Sequence, residues 1–248
     1  MCETEVGVNY CVIIPTYNNS GTLKQVLERT LSVCRNVIVV NDGSTDGSDE
    51  ILSSFGERIQ LVAYQRNRGK GYALKRGFEK ARKCGFRYAV TMDSDGQHYP
   101  EDIVRLLEPI DNSGSDKPIL VVGCRNLNAD GMPSKNSFAN RFSNFWFRLQ
   151  TGIRLDDTQS GFRLYDLGKL PWFGWVTNRY ESELELLVFS AWNGVTLSQV
   201  PIRVYYPPEG ERVSHFRPVW DFVRITILNT FLSLAAVFMR IRTKIIKP

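Results

Sequence analysis

Tyr88-Ala89-Val90-Thr91-Met92-Asp93-Ser94-Asp95-Gly96-Gln97-His98 runs from a short apolar segment straight into a pair of acids. Tyr88 to Met92 has the character of a buried strand. In extended chain Asp93 and Asp95 point the same way. Two carboxylates about 5 Å apart repel by roughly 3 kcal/mol at an effective dielectric of 20. A divalent cation between them removes that cost. Mg²⁺ and Mn²⁺ take oxygen ligands, and Mg²⁺ is commonly held by one or two carboxylates together with substrate phosphates. Gln97, at the next alternate position, adds a neutral oxygen. The competing reading is a solvated acidic turn capping a helix that opens at Pro100-Glu101-Asp102.

The chain on either side supplies the scaffold. Cys11 to Pro15 and Val37 to Val40 are apolar runs of strand type, and Ile59 to Tyr64 is a third. Thr22 to Cys34 carries Leu23, Val26, Leu27, Leu31 and Cys34 at amphipathic-helix spacing. Ser48 to Phe55 is a short helix, and Lys70 to Cys84 a longer one with Ala73, Leu74, Gly77, Phe78 and Ala81 on one face. Ile103, Leu106, Leu107 and Ile110 continue a helix after Pro100, and Ile119 to Gly123 is a further strand. This alternation predicts an α/β fold: a doubly wound, mainly parallel sheet with flanking helices and right-handed crossovers. Ligands of such sheets sit at the carboxyl ends of the strands. Asp42 and Asp93 both fall there, which predicts one shared nucleotide site.

The second half is less regular. Arg125 to Lys135 reads as a polar loop. Phe138, Phe142, Phe145, Trp146 and Leu149 form an apolar stripe at helical spacing. Arg163 to Tyr165 reads as a strand, Glu181 to Trp192 as a helix, and Thr196 to Tyr206 contains another strand before the turn Pro207-Pro208-Glu209-Gly210. Composition shifts near Arg217-Pro218, dividing a catalytic domain, 1–217, from an apolar helical segment, 218–248.

The 248 residues suffice for one large domain, and 43% hydrophobic content is ordinary for a globular chain. A net charge of +5 suits an anionic partner. No stretch resembles a nucleic-acid module. The five cysteines are scattered without metal-ligand spacing and read as reduced residues, three of them in the core. The N-terminus has acids and no apolar segment of signal-peptide type. No uninterrupted apolar run reaches the length of a comfortable membrane span.

Taken in order, Cys11-Val12-Ile13-Ile14-Pro15-Thr16-Tyr17-Asn18, Val37 to Ser48 and the Asp93-Ser94-Asp95 stretch resemble the inverting glycosyltransferase family 2, which has a GT-A fold. Asp157-Thr158-Gln159-Ser160-Gly161-Phe162-Arg163 is similar to the acceptor-side motif of the branch that acts on polyprenyl phosphates, such as dolichyl-phosphate mannose synthases. The resemblance covers roughly residues 10 to 217. It implies a metal-dependent hexosyltransferase using Mg²⁺ or Mn²⁺, a UDP- or GDP-sugar donor and a lipid-phosphate acceptor. Pro15 and Tyr17 would line the base and Asn18 hold the loop. Asp42 would accept from base or ribose. Gly69 and Lys70, in a stretch resembling the family's Asn-x-Gly-Lys-Gly, would approach the phosphates, with Asp93, Asp95 and Gln97 on the metal.

Asp157 is the candidate base or acceptor-orienting residue beside Asp95 as the second catalytic acid, and Glu181 is another candidate base. Arg125, Arg141, Ser160, Arg163, Arg212 and His215 would hold acceptor or donor phosphate. Arg212 and His215 stand where the family usually has the Gly and Lys of Gly-x-Ser-Lys, a departure in this chain. His98 reads as a neighbour of the site rather than a ligand. The alternative acceptor is a glycan or lipid hydroxyl in cell-envelope synthesis. A hydroxyl needs a strong base, whereas a phosphate monoester is already anionic. A nucleotide-binding module without turnover leaves the intact acids unexplained. Nucleotidyltransferases typically have a Gly-rich first turn where this chain has Pro15-Thr16-Tyr17-Asn18.

In the tail, Ile225 to Met239 is uncharged, about 15 residues and so roughly 22 Å as a helix. That is short of a hydrocarbon core of about 30 Å. Phe222, Ile225, Leu228, Phe231, Leu232 and Phe238 form an apolar face opposite Thr226, Asn229, Thr230 and Ser233. Arg240, Arg242, Lys244 and Lys247 supply a basic end. The expectation is a helix lying on the cytoplasmic face of a membrane as a peripheral anchor. A helix docked on the domain or on a second subunit, giving a homo-oligomer, is the competing reading.

Overall fold

The computed structural model describes residues 7–111, 118–126, 134–168, 170, 176–206 and 218–246. Seven strands form one sheet: β1 (Tyr10–Thr16), β2 (Val37–Asn41), β3 (Gln60–Ala63), β4 (Tyr88–Thr91), β5 (Ile119–Arg125), β6 (Arg163–Asp166) and β7 (Thr196–Ile202). Their spatial order is β3-β2-β1-β4-β6-β5-β7. The pairs β1–β2, β2–β3, β1–β4 and β5–β7 are parallel. The expected mainly parallel sheet is present. β6 is the exception, wedged antiparallel between β4 and β5. It registers Thr91 against Arg163 and so sets the acceptor-side motif beside the Asp93 turn.

Every residue of β1, β2 and β4 is buried. The reason is that helices cover both faces. Val12 and Ile14 face one core, with Leu23 and Leu27 of α1 (Ser20–Val33), Leu52 of α2 (Ser48–Phe55) and Leu106 of α4 (Ile103–Asp111). Cys11 and Ile13 face the other, with Leu74 and Phe78 of α3 (Lys70–Lys83), Phe147 of α5 (Ser134–Thr151) and Leu187 of α6 (Glu181–Trp192). This two-residue alternation is that of a strand buried on both sides. Of the cysteines, Cys11 and Cys34 are core residues, while Cys84 is exposed and Cys124 partly so; the expected third core cysteine is not found among them.

The apolar stripe expected on α5 is not its core face: Phe142 and Trp146 are half-buried, and the fully buried aromatic is Phe147, which the stripe did not include. Phe145 and Leu149 are exposed, at 60% and 44%. The last helix, α7 (Pro218–Ile246), packs against α5 and α6. It buries Asp221, Leu228, Asn229, Leu232 and Ala236. Asn229 turns inward because Gln150 of α5 donates to its side-chain oxygen at 3.0 Å. The polar arc expected to lie opposite the apolar face is therefore split, with Asn229 on the docked side. Trp220, Phe222, Ile227, Phe231, Leu234 and Phe238 point outward. On the same helix Thr226 and Thr230 return their hydroxyls to the carbonyls of Phe222 and Thr226. Asp221 and Arg224 pair at 3.3 Å one turn into the helix. Trp220–Phe238, 19 residues of mean hydropathy 1.5, is long and apolar enough to cross a membrane by length and composition. This corrects the expectation of a run too short to span.

Candidate active site

The first loop, after β1, is tied to the second, after β2. Asn18 adopts a positive φ of 50°. Its N–H donates to Ser44 Oγ at 3.0 Å, and its side-chain oxygen accepts from Thr45 N at 2.7 Å. Asp46 reaches back to cap α1, accepting from Ser20 N at 2.8 Å. Pro15 is buried at the end of β1, and Tyr17 is half-buried at the loop's mouth. The Thr16 hydroxyl between them is buried with no hydrogen-bond partner among the described residues.

Asp42 is 3% exposed. Its carboxylate accepts from Asn67 Nδ2 at 2.9 Å, Arg68 N at 2.7 Å and Gly69 N at 2.8 Å. It thus folds the loop that delivers Gly69 and Lys70. The structure gives this carboxylate a loop-building part, alongside the ligand contact the sequence suggests. Gly69 and Gly71 carry no side chain because the start of α6 lies against them. A Cβ on Gly69 would sit 2.5 Å from Asn178 O, and one on Gly71 would overlap the Ser182 hydroxyl.

Asp93, Asp95 and Gln97 lie on the turn after β4, whose bend passes through Gly96 at φ +78°. Gln97 N donates to Asp95 Oδ1 at 3.0 Å. Lys70 Nζ stands 2.6 Å from Asp93 Oδ1 and 2.8 Å from Glu183 Oε2. Burial opposes ionisation of Asp93, but the Lys70 ammonium more than offsets it and holds the carboxyl below the usual range. Asp95 makes no ion pair among the described residues, and Lys70 offsets its burial only in part. Burial, then the charge of Asp93, push it up to about 6. Gly161 backs the pair, where a Cβ would lie 2.6 Å from Asp93 Oδ2 and 2.9 Å from Lys70 Nζ. His98 is buried, stacked on Phe162 with centroids 5.1 Å apart, its Nε2 3.9 Å from Asp93 Oδ2. Burial lowers its pKa to about 4, so the ring is neutral, and its Nδ1 has no partner among the described residues.

The donor set fits a hard divalent cation in one respect and resists it in another. Two carboxylates sharing a turn, one of them short of positive charge, suit Mg²⁺ or Mn²⁺ completed by substrate phosphates. No group of three or more His, Cys, Asp or Glu gathers around a point among the described residues. Any cation there would depend on oxygens from a ligand or from Gln97.

Asp157 departs most from the sequence reading. It is fully buried. Arg125 grips it three times, from Nε at 2.6 Å, Nη2 at 2.9 Å and its backbone N at 3.2 Å. Asn140 Nδ2, Gln159 N and Ser160 N add bonds at 2.8, 3.1 and 3.1 Å. Six donors exceed the roughly four lone-pair sites of a carboxylate. Burial opposes its ionisation, and Arg125 outweighs burial, holding the pKa below the usual range. This geometry makes Asp157 the clamp that aims Arg125, with no lone pair left for a substrate proton.

Arg163 is likewise redirected. It is fully buried and donates to the carbonyls of Ser160, Glu183 and Thr158 at 2.7, 2.8 and 2.8 Å. All three of its donor nitrogens are spent on the chain, so it staples the motif to α6 instead of meeting a phosphate. Ser160 is buried in the same turn, its hydroxyl accepting from Phe162 N. Arg125 keeps some exposure at the end of β5, and Arg141 is exposed on α5. Arg212 and His215 lie outside the described residues, as does the turn at 207–210. Glu181 opens α6 with Oε2 buried and unpartnered among the described residues.

Acids at the carboxyl ends of β2 and β4, bracketing a Gly-Lys-Gly helix start on a mainly parallel sheet, are the layout of a GT-A glycosyltransferase. The solved structures agree on the fold. A mannosyl-3-phosphoglycerate synthase from Rubrobacter xylanophilus superposes with a TM-score of 0.65 at 18% identity, over 97% of this chain and 76% of that one. S. aureus TarS in complex with UDP-GlcNAc gives 0.61 at 18% identity, over 91% of this chain and 66% of that one. A family model, Glycosyl transferase family 2, matches residues 11–167, and the chain belongs to that family. Among its relatives, a UDP-N-acetylglucosamine–dolichyl-phosphate N-acetylglucosaminyltransferase of Methanococcus voltae is 30% identical over 216 residues, 79% of this chain and 85% of that protein. A polyprenol monophosphomannose synthase of Mycolicibacterium smegmatis is 30% identical over 203 residues, 77% and 75% of the two chains.

Proposed function

We propose that the chain moves a sugar from a UDP- or GDP-sugar to a polyprenyl phosphate, with inversion, at a membrane surface. The observation that carries this reading is the closed carboxylate of Asp157. A hydroxyl acceptor needs a base, and the residue best placed by sequence to be one is saturated by six donors. A phosphate acceptor needs charge compensation instead, which Arg125 and Arg141 offer. The relatives whose names specify dolichyl phosphate or polyprenol support the same acceptor class. Asp93, Asp95 and Gln97 would hold Mg²⁺ or Mn²⁺, which compensates the charge developing on the departing nucleoside diphosphate. Lys70, at the N-terminus of α3, faces the same charge.

The exposed apolar row of α7, together with the exposed Phe145 and Leu149 of α5, supports docking on lipid. Phe142 and Phe222 join the two helices, ring centroids 6.1 Å apart. Nucleotide sugars are cytoplasmic, which places the reading on that face of the membrane.

The test is a panel of UDP- and GDP-sugars with Mn²⁺, offered polyprenyl phosphate or the corresponding polyprenol. Transfer to the phosphate alone, abolished by EDTA and in a folded Asp95→Ala variant, is expected. Equal transfer to the alcohol, or turnover indifferent to EDTA, overturns the respective part.

A further inference from the structure

Glu183 has no role in the reading above, yet it is built into the centre of the site. It is 7% exposed, and its Oε2 lies 2.8 Å from the ammonium that also holds Asp93 at 2.6 Å. Its other oxygen, Oε1, is buried with no hydrogen-bond partner among the described residues. One lysine is therefore shared between a half-buried and a buried carboxylate that arrive from different elements, Asp93 from the turn after β4 and Glu183 from α6. Gly161 leaves the pair no room to retreat behind Asp93, because the backbone already stands against both Asp93 Oδ2 and Lys70 Nζ.

A divalent cation on Asp93 has to displace that ammonium. At contact distance the two positive charges repel, and both compete for Asp93 Oδ1. A lysine expelled with nowhere to go would be a buried unpaired charge, which is costly. Glu183 removes that difficulty by offering a second carboxylate already in contact. We propose that Glu183 is a positioning residue that retains Lys70 when a divalent cation takes Asp93, so that the cation binds by exchange with the lysine. The inference rests on the reading of Asp93 and Asp95 as ligands of that cation. It assigns Lys70 two stations: on Asp93 and Glu183 before the cation arrives, and on Glu183 alone afterwards, at the head of α3 and facing the diphosphate.

The test is Mn²⁺ binding to the full chain without nucleotide, read as free Mn²⁺ by electron paramagnetic resonance. Lys70→Met, Glu183→Gln, the double variant and Asp95→Ala are compared with the wild type, each checked for a cooperative thermal melt. Lys70→Met is expected to bind at least about fivefold more tightly, because the competitor is gone, and Glu183→Gln about fivefold more weakly, because the lysine is left with Asp93 only. In the Lys70→Met background, Glu183→Gln is expected to change nothing, since its effect acts through the lysine. If Lys70→Met fails to fold, Lys70→Arg, which keeps the competing charge, is expected at or below wild-type affinity.

Affinities within twofold of wild type for both single variants overturn the proposal. So does an equal weakening by Glu183→Gln in both backgrounds, for Glu183 would then act by its own charge. In either case, loss of binding in Asp95→Ala leaves the cation site standing. A wild type that takes up no Mn²⁺ even with saturating UDP or GDP overturns the cation site itself, and the exchange with it.

Discussion

Replacing Asp157 by Asn separates a clamp from a base. The two carboxylate oxygens are unequally loaded: Oδ1 receives Arg125 Nη2, Asn140 Nδ2, Gln159 N and Ser160 N, and Oδ2 receives Arg125 Nε and Arg125 N. The least damaging amide orientation puts its NH₂ at the Oδ2 position, against two donors of Arg125. Both of those bonds become repulsive contacts, and a guanidinium with only 15% side-chain exposure loses its counter-charge. Breaking a buried pair in this way costs about 3–5 kcal/mol. Urea denaturation at pH 7 is expected to show that loss. The pH dependence follows from the lowered pKa of Asp157. Its stabilisation is fully present above the unfolded value of about 3.9 and is lost as pH falls through the lower folded value. The gap between wild type and variant therefore narrows in acid. A variant within about 1 kcal/mol of wild type whose transfer to polyprenyl phosphate nevertheless falls more than about 1000-fold, a loss of general-base size, would refute the clamp.

Asp42→Ala strands the three donors of the 67–69 loop. It is expected to weaken nucleoside-diphosphate binding by tenfold or more, from about 1.5–3 kcal/mol for bonds to a charged acceptor. It is also expected to speed tryptic cleavage after Arg66 and Arg68; unchanged calorimetric affinity counts against it. Gly161→Ala is expected to fold yet lose transfer, because its methyl displaces Asp93 and Lys70; retained activity shows that the pair has slack. Asp95→Asn is expected to raise the Tm of metal-free chain at pH 7.5 and to leave it unchanged at pH 4. With the pKa raised to about 6, ionisation penalises the folded state progressively as pH rises from the unfolded value of about 3.9, and fully above about 6. A variant that melts below wild type at pH 7.5 contradicts this. Ile227→Glu with Phe231→Glu is expected to abolish flotation on anionic liposomes. A wild-type chain that stays at the bottom as a dimer assigns the exposed face of α7 to a second copy.

Local signals carried the architecture. Strands such as Val37–Val40 are continuous β-branched runs, and the acids stand where such runs stop, so both the sheet and the two acidic loops are legible in the sequence. β6 being antiparallel is not, because the pattern of Arg163–Tyr165 reads as a strand in either direction. The parts of Asp157 and Arg163 are hidden for a different reason. A charged residue in a Gly- and Ser-containing motif suggests a ligand, and only the convergence of β5, α5 and α6 reveals that the chain itself fills the Asp157 carboxylate and engages all three nitrogens of Arg163. Glu183 did leave a trace. Glu181, Glu183 and Glu185 are spaced by two on an otherwise apolar helix, and a spacing of two winds around the helix. Three such acids cannot share one solvated face, and all three are buried.

Gly69 and Gly71, at the start of α3, lie close against Asn178, Arg179 and Ser182, at and just before the start of α6. Lys75 Nζ adds a bond to Thr177 O at 2.9 Å. Chimeras that graft the later part of one transferase onto the nucleotide-binding part of another, to exchange acceptor preference, would naturally be cut between β5 and α5. Here that cut would leave residues 66–75 facing a foreign 177–182 where not even a methyl group fits between Gly71 and Ser182. Recombination of this chain has to carry the two segments as one inherited block, although about a hundred residues of sequence lie between them.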